Sequence, residues 1–205
     1  MGCYPNRKRS TFILTLMKHL NILLCTLPLF VGVCSSCKDS GRERIAHLVT
    51  EWQGKEIQLP TNGVFTIQGR DTVQFPIEAS YKILAYVDST GCTSCRLQLH
   101  KWKELMEEID SVSNKSVQFL FYLTPKSVRD ARYITRRDDF THPLCIDVNN
   151  EIDRMNHFPK EEMFHTFLLD ADNKVKVIGN PIHNKAVRSL YLETITDSKV
   201  AQIKL

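Results

Sequence analysis

Two seven-residue apolar runs constrain the fold of this chain more than any other feature of its sequence. Tyr81–Val87 and Val117–Leu123 contain almost no polar side chains, which is typical of strands buried on both faces of a sheet. Between them, apolar residues recur at helical spacing, at Leu99, Trp102, Leu105, Met106 and Ile109. A strand, a crossover helix and a second strand predict a parallel pair in an α/β sheet.

The rest of the body continues this alternation. The patterns predict a helix from Ser127 to about Arg137, a strand over Leu144–Val148, a short helix from Asn150 to Met155, a hairpin of Thr166–Leu169 with Lys174–Ile178, and a last helix from Asn184 to about Thr196 with Val187, Leu190, Tyr191 and Ile195 inward. The element order predicts a mixed central sheet between two layers of helices, with the parallel crossovers first and the antiparallel pair last.

A smaller region precedes this body. Lys38–Arg44 is polar and is expected to be a tether, and Ile45–Trp52 has the spacing of a helix that Gly54 stops. Lys55–Leu59 alternates like a short strand, and Val64–Ile67 with Thr72–Phe75 is expected to form a hairpin. We expect this region to be a small helix and hairpin extension packed on the main domain.

The first residues have the pattern of a secretory signal. A basic start at Met17-Lys18-His19 precedes the apolar block Leu20–Val33, which is too short for a comfortable membrane span of about 20 residues. The exit resembles a bacterial lipobox, with two small serines just before Cys37, so Cys37 is preferred over Cys34 as the lipidated residue. The expected domains are a signal over 1–37, a tether and extension over 38–79, and a main domain over 80–205.

Charge and cysteine placement exclude one class of partner and suggest one kind of chemistry. Four of the 27 basic residues precede Cys37, which leaves 23 against 23 acidic residues, so a nucleic-acid partner is not expected.

Of seven cysteines, only Cys92, Cys95 and Cys145 lie beyond Cys37. Three thiols make no disulfide framework, and a vicinal pair indicates redox chemistry or a metal site. Cys145, within an apolar strand, is expected to be an inert core thiol.

The Cys92-Thr-Ser-Cys95 motif lies where the first apolar run gives way to the first helix. A cysteine at a helix N-terminus has its thiolate favoured over its thiol, and a partner three residues later is close enough to form a disulfide or to share a metal. Cys-x-x-Cys alone is a weak signal, but at a strand-to-helix turn in this element order it is a stronger one.

The motif, the closing hairpin and the last helix resemble the thioredoxin-like superfamily over roughly Ala79 to Thr196. The nearest resemblance is to membrane-tethered, extracytoplasmic thioredoxin-fold lipoproteins of bacteria, to which the run Thr166-Phe-Leu-Leu-Asp170 is also similar. The resemblance implies a thioredoxin-like three-layer α/β/α sandwich. It further implies a thiol–disulfide oxidoreductase, a reductase or isomerase of exported proteins, in which Cys92 attacks and Cys95 resolves the mixed disulfide. No cofactor is implied beyond the two thiols, and an unidentified redox partner is expected.

The sequence departs from that family at two positions. The family places a cis proline before the hairpin strand, where this chain has Phe164, followed by His165 and Thr166, and these three residues are expected to line the substrate site. A cis bond before a residue other than proline costs about 2.5–4 kcal/mol, so this loop is expected to be trans. The family often buries an acid six residues before the first cysteine, and this chain has Tyr86 there.

Two other functions stay open at this point. Without the proline, Cys92, Cys95 and His165 form a thiolate and imidazole set suited to Cu(I) or Zn. Alternatively, the chain is a non-catalytic thioredoxin-like lipoprotein with a purely structural disulfide.

Overall fold

The computed structural model describes residues 33–89 and 97–203, with side chains over 41–89 and 97–197. The chain divides into two units, residues 1–50 and 51–205. Helix α1, Val33–Trp52, supplies all that is described of the first unit and ends in the second. Among the described helices, none combines the length and the apolar character needed to cross a membrane. The apolar block predicted as a signal, Leu20–Val33, lies almost wholly outside the described residues.

The described part of the second unit contains a seven-stranded mixed sheet with helices on both sides, in the order β2-β1-β5-β4-β3-β6-β7. Its elements are β1 (Phe65–Ile67), β2 (Asp71–Thr72), β3 (Tyr81–Val87), α2 (Leu99–Ser113), β4 (Val117–Leu123), α3 (Val128–Arg137), β5 (Leu144–Ile146), α4 (Glu151–Asn156), a 3-10 turn (Glu162–Phe164), β6 (Thr166–Leu169), β7 (Val175–Ile178) and α5 (Lys185–Ile203). The α/β class and the order of these elements confirm the sequence prediction.

The register of the sheet follows the two apolar runs. β3 and β4 are parallel from Tyr81 opposite Val117 to Val87 opposite Leu123, and β5 continues the parallel set beside β4. β6 and β7 are antiparallel, as predicted for the closing hairpin. The predicted extension hairpin, β1 and β2, is part of the same sheet, because β1 pairs antiparallel with β5.

The alternation of side chains on β3 divides the core into two faces. Ile83 and Ala85 pack into the main apolar cluster with residues of α2 and α5, among them Trp102, Leu105 and Tyr191. Tyr86 lies on the opposite face, within an aromatic cluster that also contains Trp52, Phe158, His165 and Phe167. Both faces of β3 are covered by other side chains, which explains why nearly all of its residues are apolar.

The segment 38–44, expected to be a polar tether, lies within α1, which begins at Val33; its exposed Arg42, Glu43 and Arg44 are good helix formers even without an apolar face. Two local predictions are wrong. Lys55–Leu59 forms only an isolated bridge, Glu56 with Lys174. Leu190 is 49% exposed, since one residue is a rotation of about 100° and Tyr191 takes the inward position.

The fold generates a prediction about pH and stability at His142. Its Nε2–H donates to the carbonyl oxygen of Phe119 (2.9 Å) among four phenylalanine rings, and burial lowers the pKa of His142. The unfolded imidazole, with a pKa near 6.5, therefore takes up a proton as the pH falls while the folded one resists it. Since the unfolded state binds more protons there, stability falls with falling pH below about 6.5.

We expect the free energy of unfolding of the wild type to fall more between pH 7 and pH 5 than that of His142→Gln. The glutamine amide keeps a donor for Phe119 but cannot be protonated. Urea denaturation followed by tryptophan fluorescence over this pH range measures the difference. Parallel pH profiles for the two proteins would contradict the assignment.

Candidate active site

The predicted active turn falls between two well-defined elements. Residues 90–96, which include Cys92 and Cys95, lie outside the described residues, so their predicted roles remain predictions. The flanking elements are as predicted: β3 ends at Val87, and α2 begins at Leu99 after Gln98, which has a left-handed backbone conformation (φ 37°). Cys37 lies within α1, where the side chains of residues 33–40 are not described, and its lipidation likewise remains a prediction.

The carboxyl ends of the three parallel strands meet at the edge of the sheet from which this turn departs. The backbone N–H of Thr124 donates to the carbonyl of Val87 (2.8 Å), and that of Asp147 to the carbonyl of Leu123 (2.8 Å). Ligands of α/β sheets bind outside the carboxyl ends of the strands, because loops from several strands converge there. Functional side chains are therefore expected at this edge.

A hydrogen-bond network centred on Asn150 joins three elements at this edge. The hydroxyls of Tyr86 (2.8 Å) and Thr124 (3.1 Å) both donate to Asn150 Oδ1, and Asn150 Nδ2 donates to the carboxylate of Asp153 (3.1 Å). The other carboxylate oxygen of Asp153 accepts the backbone N–H of Phe158 (3.0 Å). The end of β3 is thus connected through α4 to the loop that follows α4.

Tyr86 cannot replace the family's buried acid as a proton acceptor. Burial, with the nearby carboxylates of Asp153 and Asp88, raises the pKa of Tyr86, so its phenol stays protonated at physiological pH. It donates its hydrogen bond to Asn150 rather than accepting one from it. Tyr86, six residues before Cys92, therefore has a structural role, because its hydroxyl is hydrogen-bonded to Asn150.

His165 lies beside Tyr86 on the neighbouring strand end. The backbone N–H of Tyr86 donates to the carbonyl of His165 (2.9 Å), and the two rings are 5.1 Å apart, centroid to centroid. The side chain is 5% exposed, and its Nε2 lies 2.7 Å from the carbonyl oxygen of Pro159. Because a carbonyl only accepts, Nε2 carries the proton, and in a neutral ring Nδ1 is then the bare nitrogen.

Nδ1 of His165 is an unsatisfied atom at this edge. It is buried and has no hydrogen-bond partner among the described residues, and neither has the hydroxyl of Tyr122 on β4. Buried acceptors are nearly always satisfied, and leaving one unpaired costs about 1–3 kcal/mol. An unsatisfied nitrogen at the carboxyl-end edge of the sheet can accept a hydrogen bond from a donor or bind a metal ion.

The other two residues predicted to line the substrate site are also buried. Phe164 is 5% exposed and ends the 3-10 turn, and Thr166 is 2% exposed and pairs with Ala85. Both peptide bonds of His165 are trans, since no peptide bond in the described residues is cis. Contact of Phe164, His165 and Thr166 with a substrate remains a prediction. Met163, which the sequence pattern did not single out, is 53% exposed beside them.

The third cysteine of the body is separate from this chemistry. Cys145 is free, buried on β5, and burial raises the pKa of its thiol to about 11. A thiol that resists ionisation is a poor nucleophile, which agrees with its prediction as an inert core residue. Within the described residues, no three histidine, cysteine or acidic side chains converge as a metal-ligand group.

Sequence reasoning missed the Asn150 network. Its two hydroxyl donors, Tyr86 and Thr124, precede Asn150 by 64 and 26 positions and become its neighbours only through the parallel crossovers. One local signal was available: Asn150 precedes a short helix and has a positive φ of 52°, which asparagine tolerates better than most residues.

Comparison with known proteins supports the fold. No protein-family model and no curated protein sequence matches the chain. A candidate protein disulfide isomerase from Bacteroides thetaiotaomicron superposes with a TM-score of 0.50 at 13% identity, covering 71% of this chain and 88% of its own. Peroxiredoxin Q of Xanthomonas campestris (TM-score 0.45, 16% identity, 65% and 94% covered) and a candidate thiol:disulfide interchange protein, DsbE, of Chlorobium tepidum (0.46, 16%, 58% and 82%) match less well. Together with the sheet order and the placement of the helices, the first of these similarities shows that the chain has a thioredoxin-like fold.

Proposed function

We propose that this protein is a thiol–disulfide oxidoreductase that reduces or isomerises disulfides of exported proteins. The observation that carries the proposal is the Cys92-Thr-Ser-Cys95 pair, placed by the sequence directly between β3 and α2 of a thioredoxin-like fold. Two thiols at this spacing exchange readily between dithiol and disulfide.

The proposed reaction uses the two sulfurs in sequence. The Cys92 thiolate attacks one sulfur of a substrate disulfide, forming a mixed disulfide and releasing the other sulfur as a thiolate that takes up a proton. Cys95 then loses its proton and attacks the Cys92 sulfur, which releases the second substrate thiol and leaves a Cys92–Cys95 disulfide. The substrate gains two electrons, and an extracytoplasmic dithiol partner returns two electrons to the enzyme.

Replacement of each cysteine separates the two roles. Cys92→Ser is expected to abolish thiol-dependent reduction of insulin, because the attacking sulfur is lost. Cys95→Ser is expected to accumulate mixed disulfides with exported proteins, visible on non-reducing gels, because nothing resolves them.

Cys145→Ala is the matched control, since it removes the buried thiol of the same domain and is expected to keep wild-type turnover. Insulin reduction by Cys92→Ser at the wild-type rate would contradict the proposal. A Cys92–Cys95 bond that stays oxidised in mild reductant would instead favour the structural-disulfide alternative.

We also propose that the protein acts outside the cytoplasm on a lipid tether at Cys37. The basic start, the short apolar block and the two small serines before Cys37 support this placement. One lipid chain gives only marginal membrane binding, so the proposal requires the multiple acylation that a lipobox directs.

Fractionation of a bacterial host tests the tether. Cys37→Ser is expected to lose incorporation of labelled palmitate and to move from the membrane to the soluble fraction. Cys34→Ser, three residues away, is the control and is expected to behave as the wild type. Loss of labelling in Cys34→Ser alone, or membrane retention of Cys37→Ser, would overturn the assignment.

A further inference from the structure

Helix α3 concentrates positive charge on its exposed face. Arg129, Arg132 and Arg136 are all exposed and fall within about 60° of one another around the helix axis, since each residue advances an α-helix by about 100°. The opposite side of the helix is buried in the core. Because the chain beyond Cys37 has equal numbers of basic and acidic residues, this charge is a local feature of the surface and does not follow from composition.

No carboxylate of the described residues forms an ion pair with these three arginines. The next arginine of the helix, Arg137, is paired with Asp138. Arg136 Nε donates to the backbone carbonyl of Arg132 (3.2 Å), and this is a neutral acceptor that leaves the charge uncompensated. Asp130 follows Arg129 in the sequence and therefore points about 100° away from it, on the side of the helix away from Arg132.

Two contacts give this face a defined shape. Ser127 Oγ accepts the backbone N–H of Asp130 (3.2 Å) and caps the helix N-terminus. Gly69, in the turn between β1 and β2, lies so close to Arg132 that a Cβ at Gly69 would be 2.6 Å from Arg132 Cγ. The aliphatic part of Arg132 thus packs on this turn. A face that is ordered before it binds loses less conformational entropy on binding.

An exposed aromatic ring accompanies the arginines. Tyr133 is 59% exposed and projects about 40° from Arg129 on the same side of α3. Tyrosine is enriched at membrane–water interfaces, where its ring lies at the level of the headgroups and its hydroxyl stays in water. Arginine binds phosphate oxygens through two parallel N–H groups. Phosphate groups above an apolar layer are therefore complementary to both residue types.

We propose that the α3 arginine face, formed by Arg129, Arg132, Tyr133 and Arg136, binds an anionic phospholipid surface. The proposal rests on the lipid tether proposed at Cys37, which keeps the domain beside a membrane and raises its effective concentration there. An acidic protein is the other anionic surface that arginines bind. The membrane is favoured because the tether supplies it and because it accommodates the exposed tyrosine. The contact is peripheral, since the apolar side of α3 is already buried in the core.

Vesicle binding tests the proposal with the full chain carrying Cys37→Ser, so that no acyl group takes part. Cosedimentation gives the partition coefficient into vesicles of phosphatidylcholine alone and of phosphatidylcholine with an equal part of phosphatidylglycerol. The measured quantity is the ratio of these two coefficients at physiological ionic strength. The apolar block and the basic residues before Cys37 are common to all the variants, so differences between variants report on α3. The ratio is expected to exceed one and to fall as salt is added.

Replacement of the three arginines is expected to remove most of this preference. Arg129→Gln/Arg132→Gln/Arg136→Gln is expected to lower the ratio by about 100-fold, which corresponds to about fivefold for each basic residue near a membrane surface. Glutamine keeps the Cβ and Cγ atoms that pack on Gly69, so the urea midpoint is expected to stay at the wild-type value.

A matched control removes the same charge elsewhere. Lys174→Gln/Lys176→Gln/Lys185→Gln changes three exposed lysines on and beside β7, an edge strand of the sheet. Charges farther from the membrane than a Debye length are largely screened. This variant is therefore expected to change the ratio by less than about twofold.

Tyr133→Trp gives a second readout that is specific to α3. The native Trp52 and Trp102 are 3% and 2% exposed, so their emission is expected to be insensitive to vesicles. Emission from position 133 is expected to shift to shorter wavelength with the phosphatidylglycerol vesicles. The shift is expected to be absent when the three arginines are also replaced.

Each contrary result has its own meaning. Equal losses in the arginine and lysine variants, or no preference for phosphatidylglycerol, would overturn the α3 arginine face as a membrane contact. Arginine-dependent binding to poly-glutamate without any emission shift on vesicles would overturn it in favour of an acidic protein. The tether fails separately: arginine-dependent vesicle binding by a chain whose Cys37 takes up no palmitate would overturn the tether and support this surface.

Discussion

The hydrogen bond from the Tyr86 backbone N–H to the His165 carbonyl determines what this edge of the sheet can do. It extends the β3–β6 pairing by one residue beyond Ala85 and Thr166, so the two side chains fall on the same face with their rings in contact. A shift of one residue in this register would send His165 to the opposite face, among the apolar residues that pack on α2. The position of the His165 imidazole therefore depends on strand pairing, and the apolar faces on both sides of the sheet hold that pairing in place.

Polar groups of α4 and of the neighbouring strand ends then fix the loop that precedes His165. Asn150 receives two hydroxyl donors from neighbouring strand ends and passes the connection to Asp153, whose carboxylate holds the N–H of Phe158. One residue later, Pro159 supplies the carbonyl that fixes the His165 tautomer. In a site of low dielectric, such a connected network is stable only when its members are satisfied. The Nδ1 of His165 lies outside these hydrogen bonds and is one of five buried side-chain atoms without a partner among the described residues.

Periodicity predicted the elements of this fold well, because a strand buried on both faces and an amphipathic helix leave unmistakable patterns. Periodicity was weaker where no apolar pattern exists. The helical segment after Val33 is polar, so its sequence pattern did not indicate a helix. Periodicity also predicted too wide a buried stripe on α5. It placed Leu190 inward, whereas this side chain, close to the edge of the stripe on a helical wheel, is exposed. For the site, the sequence identified Phe164 and His165 as departures from the family but not the Asn150 network, whose members are distant in sequence.

The substitution of Tyr86 for an acid and the presence of His165 are best understood together. A carboxyl buried on β3 can serve as a proton acceptor for the resolving thiol, whereas a phenol with a raised pKa cannot. β6 is the antiparallel neighbour of β3 at this end of the sheet. His165 is the β6-side residue bonded to Tyr86, and it follows Phe164, which stands where the resemblance places the proline. The departures at Tyr86 and at Phe164-His165 thus lie side by side across one strand pairing.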